Sequence, residues 1–175
     1  LFLANHQNAL IDPLLIATKS TRFSYFLTRA SVFKKPMVSK LLHSLQMLPV
    51  YRIRDGWSQL SNNNSIFSTC VEKLHKGHAI VIFPEGSHHI NRTVRPLSKG
   101  FTRIVFETLE TFPESDLQLI PVGINFNKSE DFGDSTAVFF GKPIAAKDYV
   151  SQDKNEAVIA LKKDVQKAIS ELTTH

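Results

Sequence analysis

Short apolar runs and helical apolar stripes alternate along this chain. Residues 1–4, 23–27, 48–53, 79–83, 119–126 and 137–140 are short, rich in β-branched or aromatic side chains and bounded by turn residues, so each reads as a strand. Between them, apolar spacing predicts helices over 13–19, 36–45, 65–76, 101–112 and about 155–172. Met37, Val38, Leu41, Leu42 and Leu45 share one face of the second helix, and Ile66, Phe67, Cys70, Val71 and Leu74 one face of the third. Phe101, Ile104, Val105 and Leu109 stripe the fourth, and Val158, Leu161, Val165, Ile169 and Leu172 the last. Gly77 reads as a helix stop. This alternation predicts an α/β fold, a single domain with a mostly parallel central sheet flanked by helices.

Length supports that reading: 175 residues suit one domain with a sizeable core. The loops 5–12, 52–64 and 84–98 each follow a strand, and in open α/β sheets ligands gather beyond the strands' carboxyl ends. A lone cysteine, Cys70, gives no disulfide framework and fits a reducing compartment. No apolar run approaches the ~18 residues that span a bilayer. The chain opens inside a strand without a Met, so we expect a fragment lacking its native N-terminus.

Charge adds a partner class. Residues 1–103 hold 14 Lys/Arg against 4 Asp/Glu, whereas residues 104–175 hold 7 against 12. Up to Arg54 the single acid is Asp12. A basic first part suits an anionic partner, whether nucleic acid, a phosphorylated small molecule or an anionic lipid surface, or it is merely uneven surface charge.

Four stretches can carry chemistry. In "ANHQNALIDP", Asp12 before Pro13 is a good helix N-cap with Pro at the first helical position. The same carboxylate could orient His6 as a general base, and it could both cap and orient. With no Gly-x-Ser-x-Gly elbow, such a base would activate a hydroxyl of the substrate. In "VIFPEGSHH", Pro84 stops a strand, Gly86 permits a tight turn or a close ligand, and Glu85 could hold a substrate hydroxyl or an arginine; an ordinary Pro–Gly turn fits too. His88 and His89 are a weak metal signal, and no metal site is expected. In "MLPVYRIRDG", Arg52 and Arg54 alternate onto one strand face and suit a phosphate, or a solvated strand end. In "LQLIPVGINF", Pro121 and Gly123 interrupt an apolar strand and suggest a bulge or a close ligand chain.

In this order, "NHQNALIDP", "LPVYR", "IFPEGS" and "LIPVGI" resemble the four blocks of the glycerolipid acyltransferase family, over about residues 3–124. The resemblance implies one acyltransferase domain across 1–175, with a strand and helix at 136–173 completing a glycerol-phosphate acyltransferase-like fold. It implies His6 as general base and Asp12 as its orienting carboxylate. It implies acceptor binding by Arg52, Glu85, Gly86, Ser87 and a basic Lys99-Gly100 pair, and donor binding or packing around 120–122. The co-substrates would be an acyl-CoA or acyl carrier protein thioester and a phosphorylated glycerol acceptor such as glycerol phosphate or lysophosphatidate. No cofactor and no metal are needed. The expected setting is the cytoplasmic face of a membrane, with a lipid surface as partner and no nucleic acid.

Three departures from the family pattern matter. Five residues separate His6 from Asp12 where four are usual, a spacing that resembles the branch with fungal-type glycerol-3-phosphate and dihydroxyacetone-phosphate acyltransferases. Ser87-His88 stands where Thr-Arg is usual, leaving Arg92 or Arg95 to compensate. Tyr51 stands where Asp usually precedes the block's Arg, and Arg54 is a rival to Arg52. Two other readings remain: a thioester hydrolase using His6 on water, and a non-catalytic basic module binding anionic lipid or nucleic acid.

Overall fold

A computed structural model describes residues 1–9, 11–52, 57–86, 93–127, 135–150 and 153–173, without the side chains of 57–59. The strands are β1 (Phe2–Ala4), β2 (Ser24–Arg29), β3 (Met47–Val50), β4 (Ala79–Ile82), β5 (Gln118–Phe126), β6 (Thr136–Phe140) and the two-residue β7 (Ile144–Ala145). The helices are α1 (Ile11–Lys19), α2 (Pro36–Ser44), α3 (Asn63–His75), α4 (Gly100–Thr111) and α5 (Lys154–Leu172), with 3-10 turns over Ala30–Phe33, Trp57–Asn62 and Ala146–Tyr149.

One sheet runs in the order β3-β2-β4-β1-β5-β6, with β7 also paired to β5. The first five strands of that order are mutually parallel; β6 and β7 lie antiparallel to β5. Helices α3, α4 and α5 cover one face, where Leu3, Ile80, Ile104, Leu119, Leu161 and Ile169 are fully buried. Ile16 of α1 covers part of the other face, over Ala4, Phe26, Val81, Val122 and Ile124. Because β1, β3 and β4 are parallel, their carboxyl ends emerge on one edge and bring residues 5–8, 51–52 and 83–86 together.

Several sequence expectations need correction. Asp12 does not cap α1. Asn8 does so, its Oδ1 accepting from the Ile11 amide at 3.1 Å, while the Asp12 carboxylate turns back into the loop. Past Gly123 the pairing with β6 is continuous, so there is no bulge there. At Pro121 the register against β1 is unbroken, but on the other side it shifts by one residue between Leu119↔Ile144 and Val122↔Phe140. Residues 141–143 stand opposite 120–121, so the interruption expected at Pro121 is present on that side. The Ile120 amide bonds to Leu1 on the β1 side, so position 121 faces the other way, where its carbonyl accepts from Gly141. The missing Pro121 N–H therefore falls between β7, which ends its pairing at Leu119, and β6, which begins at Val122. Gly123 admits no ligand chain: a Cβ there would strike the Leu172 carbonyl at the end of α5. The apolar stripe of α2 does not enter the core, for none of its residues is buried. The strand expected over 48–53 ends at Val50, and Ile53 lies outside the described residues.

Helix α5 closes the fold and has a well-formed start, with Asp153 Oδ1 accepting from the amides of Asn155 and Glu156 at 2.9 and 3.3 Å. Asp153→Ala should lower unfolding stability by about 1 kcal/mol, read from urea melts. An unchanged midpoint would mean that the cap contributes nothing.

Candidate functional site

The His6 loop is built from backbone amides inward. Strand β1 ends at Ala4, and the Asn5 side chain extends its ladder: Nδ2 donates to the Ile124 carbonyl at 2.9 Å and Oδ1 accepts from the Ile124 amide at 2.7 Å. This two-way clamp fixes where His6 begins. Beyond it, one oxygen of Asp12 gathers three donors. Asp12 Oδ2 accepts from the amides of Gln7 and Asn8, each at 2.8 Å, and lies 2.9 Å from His6 Nδ1. Asp12 is fully buried, and among the described residues its Oδ1 has no hydrogen-bond partner. The five-residue spacing is thus absorbed by a tight loop wrapped around the carboxylate.

An oxygen that already accepts two amide N–H groups accepts from the imidazole as well, which places the ring proton on Nδ1. That tautomer puts the imidazole lone pair on Nε2. The Phe83 ring stacks on the imidazole at 4.3 Å between centroids and holds its plane.

Glu85 braces the site from β4. Its Oε1 accepts from the His6 amide at 3.0 Å and its Oε2 from the Arg95 amide at 3.1 Å. Gly86 closes the turn at φ +73°, its amide bonded to the Phe83 carbonyl, so the backbone angle rather than space calls for glycine. Burial pushes the Glu85 carboxyl above its ordinary value, and the Arg95 and His6 amides only partly offset this. The folded state therefore holds this proton more tightly than the unfolded chain does. Its stabilising effect is lost as pH rises from the ordinary range near ~4.3 through the raised value. The stability of Glu85→Gln relative to wild type should accordingly increase with pH across that window. Urea melts at several pH values measure it, and a difference flat in pH would contradict the assignment.

A second amide clamp holds the arginine. Asn63, the first residue of α3, accepts from the Tyr51 amide at 2.8 Å and donates to the Tyr51 carbonyl at 2.7 Å. Next in the chain, Arg52 Nη1 donates to the Gly86 carbonyl at 2.6 Å. The segment leading into α4 is tied down by the Ser98 amide on the Pro84 carbonyl at 2.7 Å, which sets Lys99 at the start of α4.

These elements enclose a cleft of about 640 Å³, in the size range of small-molecule sites. His6, Arg52, Glu85, Gly86 and Lys99 all line it, while Asp12 stands behind His6. Arg29 and Arg95 add two cations. Deeper in, Leu27, Val50, Phe67, Ile82, Phe101 and Ile104 make an apolar wall. None of residues 120–123 lines the cleft. Ser87, the rival Arg54, and His88, His89 and Arg92 lie outside the described residues. Among the described residues, no group of three His, Cys, Asp or Glu could hold a metal ion.

Sequence reasoning missed Asn5, Asn63 and Arg29. Asn5 adjoins His6 in the quoted stretch, but nothing local says that its amide reaches Ile124. Asn63 sits in an Asn run before a helix, which reads as a cap rather than a clamp.

A family model described as Acyltransferase matches residues 1–125. An uncharacterized acyltransferase of Schizosaccharomyces pombe is 32% identical over 80 residues, which is 46% of this chain and 12% of that protein. Glycerol-3-phosphate O-acyltransferase 1 of Saccharomyces cerevisiae is 25% identical over 118 residues, 64% of this chain and 16% of that protein. This chain thus spans only a small part of the length of both relatives. The crystal structure of the 1-acyl-sn-glycerophosphate (LPA) acyltransferase PlsC from Thermotoga maritima superposes with a TM-score of 0.64, covering 97% of this chain and 63% of that one at 20% identity, and so shares the fold.

Proposed function

The chain belongs to the Acyltransferase family, and on that premise we propose that it moves an acyl group from a thioester donor, acyl-CoA or acyl carrier protein, to a hydroxyl of a phosphorylated glycerol such as glycerol phosphate or lysophosphatidate. The observation that carries this reading is one cleft that joins the His6–Asp12 pair to the cations Arg52, Arg95 and Lys99. A base with its lone pair on Nε2 suits a substrate hydroxyl, and guanidinium and ammonium groups suit a phosphomonoester. The apolar wall suits an acyl chain. The yeast relative named as a glycerol-3-phosphate acyltransferase supports the acceptor class.

In the proposed step, His6 Nε2 takes the hydroxyl proton as the oxygen attacks the thioester carbonyl. The tetrahedral intermediate collapses with cleavage of the C–S bond, and the imidazolium returns the proton to the departing thiolate. Asp12 stabilises the imidazolium and keeps the ring oriented. Arg52 and Lys99 hold the acceptor phosphate; Glu85 and Gly86 shape the turn against which it sits. The site works at a membrane surface, where acyl-chain products collect.

Thiol release measured with acyl-CoA and a panel of glycerol 3-phosphate, dihydroxyacetone phosphate and lysophosphatidate tests this. Release that requires a phosphorylated acceptor is the expected result. Release without any acceptor would make the protein a thioester hydrolase, and no release with any acceptor would overturn the reading.

A further inference from the structure

Helix α2 presents its apolar stripe the wrong way round for a surface helix. Met37 is 85% exposed, Leu41 59%, Leu45 53% and Val38 38%. Helical spacing places Met37, Val38 and Leu41 on one stripe, which Leu45 continues at the C-cap, while Ser39 and Leu42 turn toward the protein and are half-buried. Single exposed apolar residues are ordinary, but a contiguous stripe over most of a short helix marks a contact surface.

The surroundings name the partner. Lys34, Lys35 and Lys40 flank the stripe and are exposed, and no Asp or Glu occurs anywhere from residue 13 to 54. The 3-10 turn Ala30–Phe33 packs against α2. That turn carries Val32, which follows shortly after Arg29, and both line the cleft. The stripe therefore adjoins the cleft mouth. In a two-fold contact between copies, the same lysines would face one another, which disfavours self-association through this face. At nine residues α2 is far too short to span a bilayer, and among the described residues no helix is long and apolar enough to do so. An apolar stripe with basic flanks on such a helix is the composition of an element that lies in the lipid interface.

We infer that α2 docks the protein on an anionic bilayer, with Met37, Val38, Leu41 and Leu45 inserted at the headgroup boundary, Lys34, Lys35 and Lys40 against lipid phosphates, and the cleft mouth opening at the lipid surface. The choice of a lipid occupant rests on the acyl-transfer reading, but the docking itself is measured without turnover.

The test is co-sedimentation of the chain with vesicles of phosphatidylcholine alone and of phosphatidylcholine mixed with phosphatidylglycerol. Binding should be at least about tenfold tighter on the anionic vesicles and should weaken with salt. The double variant Met37→Ser/Leu41→Ser changes only exposed side chains, so its melting midpoint should match wild type. It should bind anionic vesicles about tenfold more weakly or worse. Its thiol release with water-soluble short-chain acyl-CoA and glycerol 3-phosphate should be unchanged. Equal vesicle binding by the double variant and wild type would overturn the inference. So would a wild-type dimer that the variant abolishes, with no vesicle binding by either. Vesicle binding without thiol release would leave the docking face standing and remove the acyl-transfer reading; thiol release without vesicle binding would do the reverse.

Discussion

Asp12→Asn should lower kcat for acyl transfer by on the order of 10³-fold while leaving both KM values near wild type. The carboxylate has no access to the cleft, so no substrate contact is lost. Its Oδ2 serves His6 Nδ1 and the amides of Gln7 and Asn8, and an asparagine oxygen at that position can serve the same donors. The amide NH2 then falls where Oδ1 lies, a buried position with no partner among the described residues, at a stability cost of about 1–3 kcal/mol. What the variant cannot supply is the negative charge opposite the imidazolium that forms as the hydroxyl loses its proton. That loss acts in the transition state and appears in kcat. His6→Ala should cost as much or more, and the double variant His6→Ala/Asp12→Asn should be no slower than His6→Ala alone, because the two residues act as one unit. Melting curves establish that each variant is folded. A folded Asp12→Asn with near-normal kcat would remove the pair from the mechanism.

Much of this geometry was legible in the sequence wherever periodicity carried it. The stripes of α3, α4 and α5 face the core as their spacing says, and the predicted strands all pair in one largely parallel sheet. Boundaries moved where tertiary contacts decide. Strand β2 runs on to Arg29 because β3 pairs with it through Val50. The two-residue β7 exists only because β5 offers an edge at Gln118 and Leu119, and no local signal marks it. The α2 stripe was legible as a stripe, but periodicity does not say whether water, protein or lipid covers it. Asp12 shows the same limit: its sequence context suits an N-cap, and only the folded loop reveals that Asn8 takes the cap and frees the carboxylate for His6. Tyr51, a departure from the family's usual Asp, sits in a clamp that grips main-chain atoms alone, so the clamp itself makes no demand on the side chain there.

Arg52→Ala should raise the acceptor KM by roughly 10- to 100-fold, the equivalent of a charge-assisted hydrogen bond of about 1.5–3 kcal/mol, and leave the donor KM near wild type. The guanidinium suits this role because its main chain follows the Asn63 clamp and its Nη1 is anchored on the Gly86 carbonyl. A guanidinium anchored in this way has little rotamer freedom left to lose when a ligand binds. Arg52→Lys keeps the charge but has a single ammonium, which must choose between Gly86 and the phosphate. It should therefore recover only part of the affinity. An acceptor that has the hydroxyl but lacks the phosphate provides the control. Turnover of glycerol, however slow, should be equally slow in wild type and Arg52→Ala, since no phosphate contact is there to lose. If donor and acceptor KM rise together, Arg52 supports the cleft as a whole. If neither rises, the phosphate is held by Arg29, Arg95 or Lys99, which line the same cleft as His6.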